Sequence, residues 1–329
     1  MATYKGIQGF SIQNLSADPS NPIEGQVWYN STSNVWKVEE ATAAGSWATG
    51  NNMNTARRFL AGTGIQTAAL AVGGYTGTAY TGATEEYDGT SWTNNPTGLN
   101  TIRAGLYGTG TQTAALAFGG NGPGAPTTNA TEEYDGSTWT TSPGSLNTAR
   151  NALAGCGIQT ATVAFGGTPP ITGATEEYDG STWTSNPTGL NTARLGLGGA
   201  GTQTAALGFA GYSTANTGAT EEYDGSTWTS VNSMNTARVD LYGTGIQTAA
   251  VGFGGSPSGI DNTGATEEYD GNSWTSNPTG LNTARAALRG AGTSSSALAF
   301  GGASPPPTTA ATEEWTGAGA AVTKTITVS

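Results

Sequence analysis

Residues 45–316 read as an all-β array of six four-stranded units, the spacing of a six-bladed β-propeller, preceded by a short β-hairpin segment. Three recurrences carry this reading. The tetrapeptide Asn-Thr-(Ala/Ile)-Arg ends at Arg57, Arg103, Arg150, Arg194, Arg238 and Arg285, so successive copies lie 44 to 47 residues apart. Each copy is followed by an apolar run that stops at a small pair: Gly73-Gly74, Gly119-Gly120, Gly166-Gly167, Ala210-Gly211, Gly254-Gly255 or Gly301-Gly302. A Thr-Glu-Glu-aromatic segment comes next, and then a tryptophan: Trp92, Trp139, Trp183, Trp228 or Trp274, with Trp47 at the same place before the first tetrapeptide.

One unit shows how the elements follow from the residues. After Arg103, Ala104 to Tyr107 predicts a short strand and Gly108-Thr109-Gly110 a turn. Thr111 to Phe118 is small or apolar at nearly every position, as in a strand buried on both faces. Ala130 to Tyr134 alternates, placing Ala130, Glu132 and Tyr134 on one face and Thr131 and Glu133 on the other. Asp135-Gly136 supplies hairpin residues, and Trp139 lies in the fourth strand. Trp47 stands seven residues before Asn54, as Trp228 does before Asn235, so its strand is expected to complete the sixth unit; the C-terminal run Ala321 to Val328 is the other candidate. A β-solenoid is the alternative architecture.

The order Arg, buried strand ending Phe-Gly-Gly, Glu-x-Tyr-Asp and Trp resembles the kelch repeat over roughly residues 45–316. The chain departs from that pattern at Val72, at Ala210 and at Trp315-Thr316. The resemblance implies a six-bladed kelch-type β-propeller. Some kelch-like propellers are copper oxidases with histidine ligands, and this chain has no histidine.

Composition excludes more. Without histidine there is no His-based acid–base pair, triad or His-containing metal site. Cys156 is the single cysteine and reads as a small filler among glycines. A net charge of -12 with three lysines disfavours nucleic acid, and no apolar run is long enough to span a membrane. The start, MATYKGIQGFSIQN, lacks the form of a secretory signal. No cofactor is expected.

The charges belong to the repeat: twelve of fifteen glutamates and six of eight arginines lie in its motifs. Parity buries the first glutamate of each pair, Glu85, Glu132, Glu176, Glu221, Glu267 and Glu313, and a buried carboxylate needs a partner. The arginines Arg57, Arg103, Arg150, Arg194, Arg238 and Arg285 are the cation present in every unit, so six structural ion pairs are expected. Adjacent glutamates point oppositely, which argues against glycosidase chemistry. The tryptophans are expected to pack between blades, and the Tyr-Asp-Gly aspartates to serve turns.

Variation among the units concentrates after the small pair, in loops expected to open on one face. Tyr75, Tyr80, Asn121, Tyr212, Ile260 and Asp261 are the candidate contact residues there. Residues 1–44 stand outside the repeat, as do 317–329. Asp18 to Val38 predicts a Pro-punctuated lead and a hairpin, Gln26 to Tyr29 and Val35 to Val38, whose Trp28 and Trp36 would form an exposed anchoring surface. This segment is similar to stretches of bacteriophage tail and fibre proteins, and Thr/Gly/Asn-rich kelch-like arrays resemble virion-associated proteins of such phages. The resemblance implies a non-enzymatic virion protein made in the host cytoplasm, held to other virion proteins through residues 1–44. Its role would be a tail fibre or receptor-binding propeller facing a host surface glycan or protein. A decoration or tail-structural role is the alternative; a carbohydrate-active protein or a kelch adaptor is the alternative of another class.

Overall fold

A computed structural model describes residues 13–19, 26–41, 44–124, 127–304, 307–318 and 321–326. Parts of the N-terminal lead, Ala125-Pro126 and Pro305-Pro306 of two variable loops, and Thr327-Val328 of the C-terminal run lie outside the described residues. The described residues are all β, in seven four-stranded sheets, and the chain divides into two compact units: Met1–Gly45 with Gly317–Ser329, and Ser46–Thr316.

The larger unit holds six antiparallel sheets in propeller-like repetition. Sheet one runs Ala61–Ile65, Ala68–Val72, Thr84–Tyr87, Trp92–Asn95; sheet two, Tyr107–Gly110, Ala115–Phe118, Thr131–Tyr134, Trp139–Thr141. Sheet three runs Ala154–Ile158, Ala161–Phe165, Thr175–Tyr178, Trp183–Asn186; sheet four, Gly198–Thr202, Ala205–Phe209, Thr220–Tyr223, Trp228–Val231. Sheet five runs Tyr242–Ile246, Ala249–Phe253, Thr266–Tyr269, Trp274–Ser276. Sheet six takes Arg289–Gly292, Ser296–Phe300 and Thr312–Thr316 from the last repeat and Ser46–Gly50 from ahead of the first, pairing Trp47 with Trp315. The Trp47 strand thus fills the fourth place; Ala321–Ile326 pairs instead with Val35–Ala41 in the smaller unit.

The first strand of each unit is displaced from its expected place. Tyr107–Gly110 is strand rather than turn, the hairpin turns at Thr111–Ala114, and the second strand begins only at Ala115. The glycines that read as turn residues answer a packing demand. A Cβ on Gly62 would lie 2.7 Å from the Phe300 ring and 2.8 Å from the Gly290 carbonyl, because neighbouring first strands approach too closely for side chains. The second strands are buried along their length, as Ala115–Phe118 shows.

Repeated contacts join each sheet to its predecessor. Each fourth-strand tryptophan donates its indole N–H to the third-strand threonine of the preceding sheet: Trp139 to Thr84, Trp183 to Thr131, Trp228 to Thr175, Trp274 to Thr220 and Trp47 to Thr266, all at 2.9–3.0 Å. Trp92 of sheet one donates to Thr312 of sheet six at 3.0 Å. The same indoles pack on the preceding sheet's phenylalanine, as Trp92 on Phe300 and Trp228 on Phe165; Val72 replaces that phenylalanine before Trp139. The first strands neighbour one another in the same order, sheet six beside sheet one.

In the smaller unit, Gln13–Leu15 runs parallel to Val27–Asn30, which pairs antiparallel with Val35–Ala41. Trp28 is fully buried, contrary to its expected exposure: strand alternation turns it inward, where its indole N–H donates to Asp18 at 3.0 Å. Asp18 also accepts from Asn30 and Lys37, and chiefly the Lys37 bond lowers its pKa to about 2. Tyr29 and Trp36 share the opposite face, ring centroids 5.3 Å apart, with Trp36 36% exposed.

Candidate binding face

The repeated charges form a buried clamp in each sheet. Guanidinium and carboxylate are 2.9 Å apart in Arg57–Glu85, 3.0 Å in Arg150–Glu176, 2.9 Å in Arg194–Glu221, 3.3 Å in Arg238–Glu267 and 3.2 Å in Arg285–Glu313, and Arg103–Glu132 pairs likewise. Each carboxylate also accepts the backbone N–H groups of the tetrapeptide's Asn and Thr, as Glu221 does from Asn191 and Thr192. The guanidiniums also donate to backbone carbonyls, Arg194 to Ala210 and Ala219, while the Nε atoms of Arg57, Arg103, Arg150, Arg238 and Arg285 are buried without a partner. Burial lowers the pKa of every one of these arginines, against the pull of its glutamate. The clamp ties the crossover from one sheet to the body of the next.

The second glutamate of each pair has a partner the sequence does not disclose. Tyr87 donates to Glu314 of the preceding sheet at 2.6 Å and Tyr269 to Glu222 at 2.9 Å; Tyr134–Glu86, Tyr178–Glu133 and Tyr223–Glu177 repeat the bond. Trp315 breaks the series and donates to the Ser294 carbonyl. The turn aspartates accept backbone N–H groups two and three residues ahead, as Asp179 does from Ser181 and Thr182, which lowers its pKa to about 2. Both members of each glutamate pair are therefore held by scaffold groups. Among the described residues no group of three or more His, Cys, Asp or Glu is placed to hold a metal ion.

Two features lie among the first strands. A cavity of about 160 Å³ is lined by Thr63, Tyr107, Thr109, Cys156, Tyr242 and Thr244, with many glycines between them. Burial pushes the Cys156 thiol pKa far up, and its Sγ lies 3.3 Å from the Thr202 carbonyl, the surroundings of an inert thiol. Ahead of the first strands, six residues with positive φ, Phe59, Gly105, Ala152, Gly196, Asp240 and Ala287, form a circuit of backbone hydrogen bonds. Gly105 donates to Phe59, Ala152 to Gly105, Gly196 to Ala152, Asp240 to Gly196, Ala287 to Asp240 and Phe59 to Ala287, at 2.7–2.9 Å.

The variable loops share the face of this circuit. Isolated bridges fasten each loop to the crossover before its sheet: Arg58 to Tyr75, Ala104 to Asn121, Asn151 to Thr168, Leu195 to Tyr212, Val239 to Ser256 and Ala286 to Ala303. Three candidate residues come together: Tyr75 bridges Tyr80, their rings 5.3 Å apart edge to face, and Asn121 donates to the Tyr80 hydroxyl at 2.9 Å. The others stand in separate units. Tyr212 is 38% exposed on the fourth loop; Ile260, 79% exposed, and Asp261 lie on the fifth, where Asp261 accepts from the Ser258 hydroxyl at 3.0 Å. Beside them lies Arg58, which the repeat pattern does not single out, its guanidinium carbon 5.4 Å from the Tyr75 ring centroid. It follows the motif arginine directly and so looks like part of the repeat, yet no other unit has a cation there.

No protein-family model matches this chain, and no curated protein matches it.

Proposed function

We propose that residues 46–316 are a six-bladed, kelch-type propeller serving as a non-enzymatic binding module of a bacteriophage virion, its variable-loop face turned to a host surface glycan. The cyclic order of Trp-to-Thr bonds and the six-membered backbone circuit support the blade number. One observation carries the binding role: a scaffold repeated with few changes concentrates its sequence diversity, and its accessible tyrosines, on one face. The bonds that occupy both glutamates of each pair support a non-catalytic reading. Residues 1–44 would attach the module to other virion proteins, with Trp36 and Tyr29 as the apolar contact and Trp28 as core.

The test is host adsorption by particles carrying Tyr212→Ala and Asp261→Ala. Adsorption should fall at least tenfold with particle assembly unchanged; full adsorption would refute the role. A particle reconstruction with the loop face covered by a neighbouring protein would favour the decoration or tail-structural role instead.

A further inference from the structure

We propose that Arg58, Tyr75, Tyr80 and Asn121 form a subsite for an anionic sugar residue, an inference that rests on the glycan-binding reading above. Residues 46–316 contain no lysine and eight arginines. Six of these are fully buried in the glutamate clamps, and Arg289 is 7% exposed beside Tyr107 and Tyr242. Arg58 is the remaining cation, half-buried, and no carboxylate among the described residues lies within ion-pair distance of it. Its Nε is buried without a hydrogen-bond partner.

The fold does not require this arginine. Its equivalents in the other units are Ala104, Asn151, Leu195, Val239 and Ala286, each making the same backbone bridge to its own loop. Cation–π contacts with Tyr75 and Phe59, at 5.4 and 5.7 Å, hold the guanidinium beside the two rings. A guanidinium so placed retains donors that match a carboxylate or sulfate in paired hydrogen bonds. The adjoining Tyr75–Tyr80 pair offers an aromatic surface to the C–H face of a sugar ring, and Asn121 and the Tyr80 hydroxyl supply polar atoms for its hydroxyls.

The charge distribution favours an anion at this place despite the net negative charge of the chain. Asp88, Asp135, Asp179, Asp224 and Asp270 are exposed in the third-to-fourth-strand turns, at the end of the sheets opposite the variable loops. On the loop face the acids are Asp240 and Asp261, both in the fifth unit, whereas Arg58 belongs to the first. Repulsion between exposed charges is largely screened beyond about 10 Å at 0.1 M salt, so the local cation decides.

The experiment titrates the full chain with methyl glucuronoside, glucose 6-sulfate and methyl glucoside, followed by ligand-observed NMR. At least one anionic probe should bind at least tenfold more tightly than methyl glucoside, and the better of the two identifies carboxylate or sulfate as the natural group. Arg58→Gln should abolish that preference, Arg58→Lys should retain part of it, and rising salt should weaken it. Equal or absent binding of anionic and neutral probes by the unaltered protein overturns the subsite, as does an anion preference that survives Arg58→Gln. Anion binding that depends on Arg58, in a particle whose adsorption survives substitutions across the loop face, would leave the subsite standing and remove the host-adhesion role. Adsorption that needs the loop face with no anion preference would do the reverse.

Discussion

Replacing Arg194 with methionine tests whether the buried clamps hold the sheets together. The substitution keeps an unbranched apolar stem and removes a guanidinium that is 0% exposed and 2.9 Å from Glu221. Glu221 would keep only the N–H groups of Asn191 and Thr192, while the Ala210 and Ala219 carbonyls would each lose a donor. Stranding one member of a buried pair costs about 3–5 kcal/mol. We therefore expect Arg194→Met to lower the unfolding free energy by about 4 kcal/mol, read from urea denaturation followed by tryptophan fluorescence. Glu221→Leu should cost at least as much, since it orphans two N–H groups together with the guanidinium. The double variant no longer strands a charge, so it should lose less than the sum of the two by about 2–3 kcal/mol. A single-variant loss below about 1 kcal/mol, or strict additivity in the double variant, would refute the clamp as a coupled buried pair.

Two further outcomes follow from the packing. Burial, with Glu or Asp neighbours, raises the pKa of Tyr87, Tyr134, Tyr178, Tyr223 and Tyr269, that of Tyr178 to about 12, and burial raises those of Tyr107 and Tyr242. The unfolded chain ionises its tyrosines near pH 10, so the stabilisation held by these neutral phenols is complete below about pH 10 and is lost as pH rises toward their native values. A spectrophotometric titration of the native protein at about pH 11 should leave seven of its twelve tyrosines un-ionised until unfolding releases them together; smooth ionisation of all twelve would contradict the Tyr–Glu bonds. Ala287 holds φ at 53° in the backbone circuit, a conformation costing an L-residue about 1 kcal/mol or more, so Ala287→Gly should raise the unfolding free energy by up to about 1 kcal/mol; a marked loss would show that the alanine methyl, 3% exposed, matters more than its backbone.

The repeat made much of this molecule readable, because contacts made in every unit leave a trace at a fixed interval. Arg103 and Glu132 could be matched from parity and cation supply alone, and the strand around Trp47 was betrayed by its distance from Asn54. What depends on the neighbouring sheet was not readable. The Gly108-Thr109-Gly110 run looks like a turn until the first strands of adjacent sheets are seen to press backbone against side chain. The Tyr134 hydroxyl finds Glu86 across a sheet boundary, 48 residues away, and no local pattern announces it. Trp28 read as exposed because a hairpin outside the repeat carries no second copy for comparison, and its partner Asp18 lies beyond the hairpin itself. Arg58 was hidden by its neighbour Arg57, whose role belongs to every unit.

Near-identical repeats in one chain invite recombination, and an exchange between two of them would delete or duplicate 44 to 47 residues without a frameshift. The backbone circuit from Phe59 to Ala287 makes such changes costly. It has six N–H groups and six carbonyls, each given to the next in one rotational sense, so in this arrangement every donor has an acceptor. A chain shortened by one unit would have to bring two separated crossovers into register or leave a donor and an acceptor unpaired. The circuit therefore opposes drift in the number of repeats, because a gain or loss of one unit breaks a bond that has to be re-formed across a new spacing.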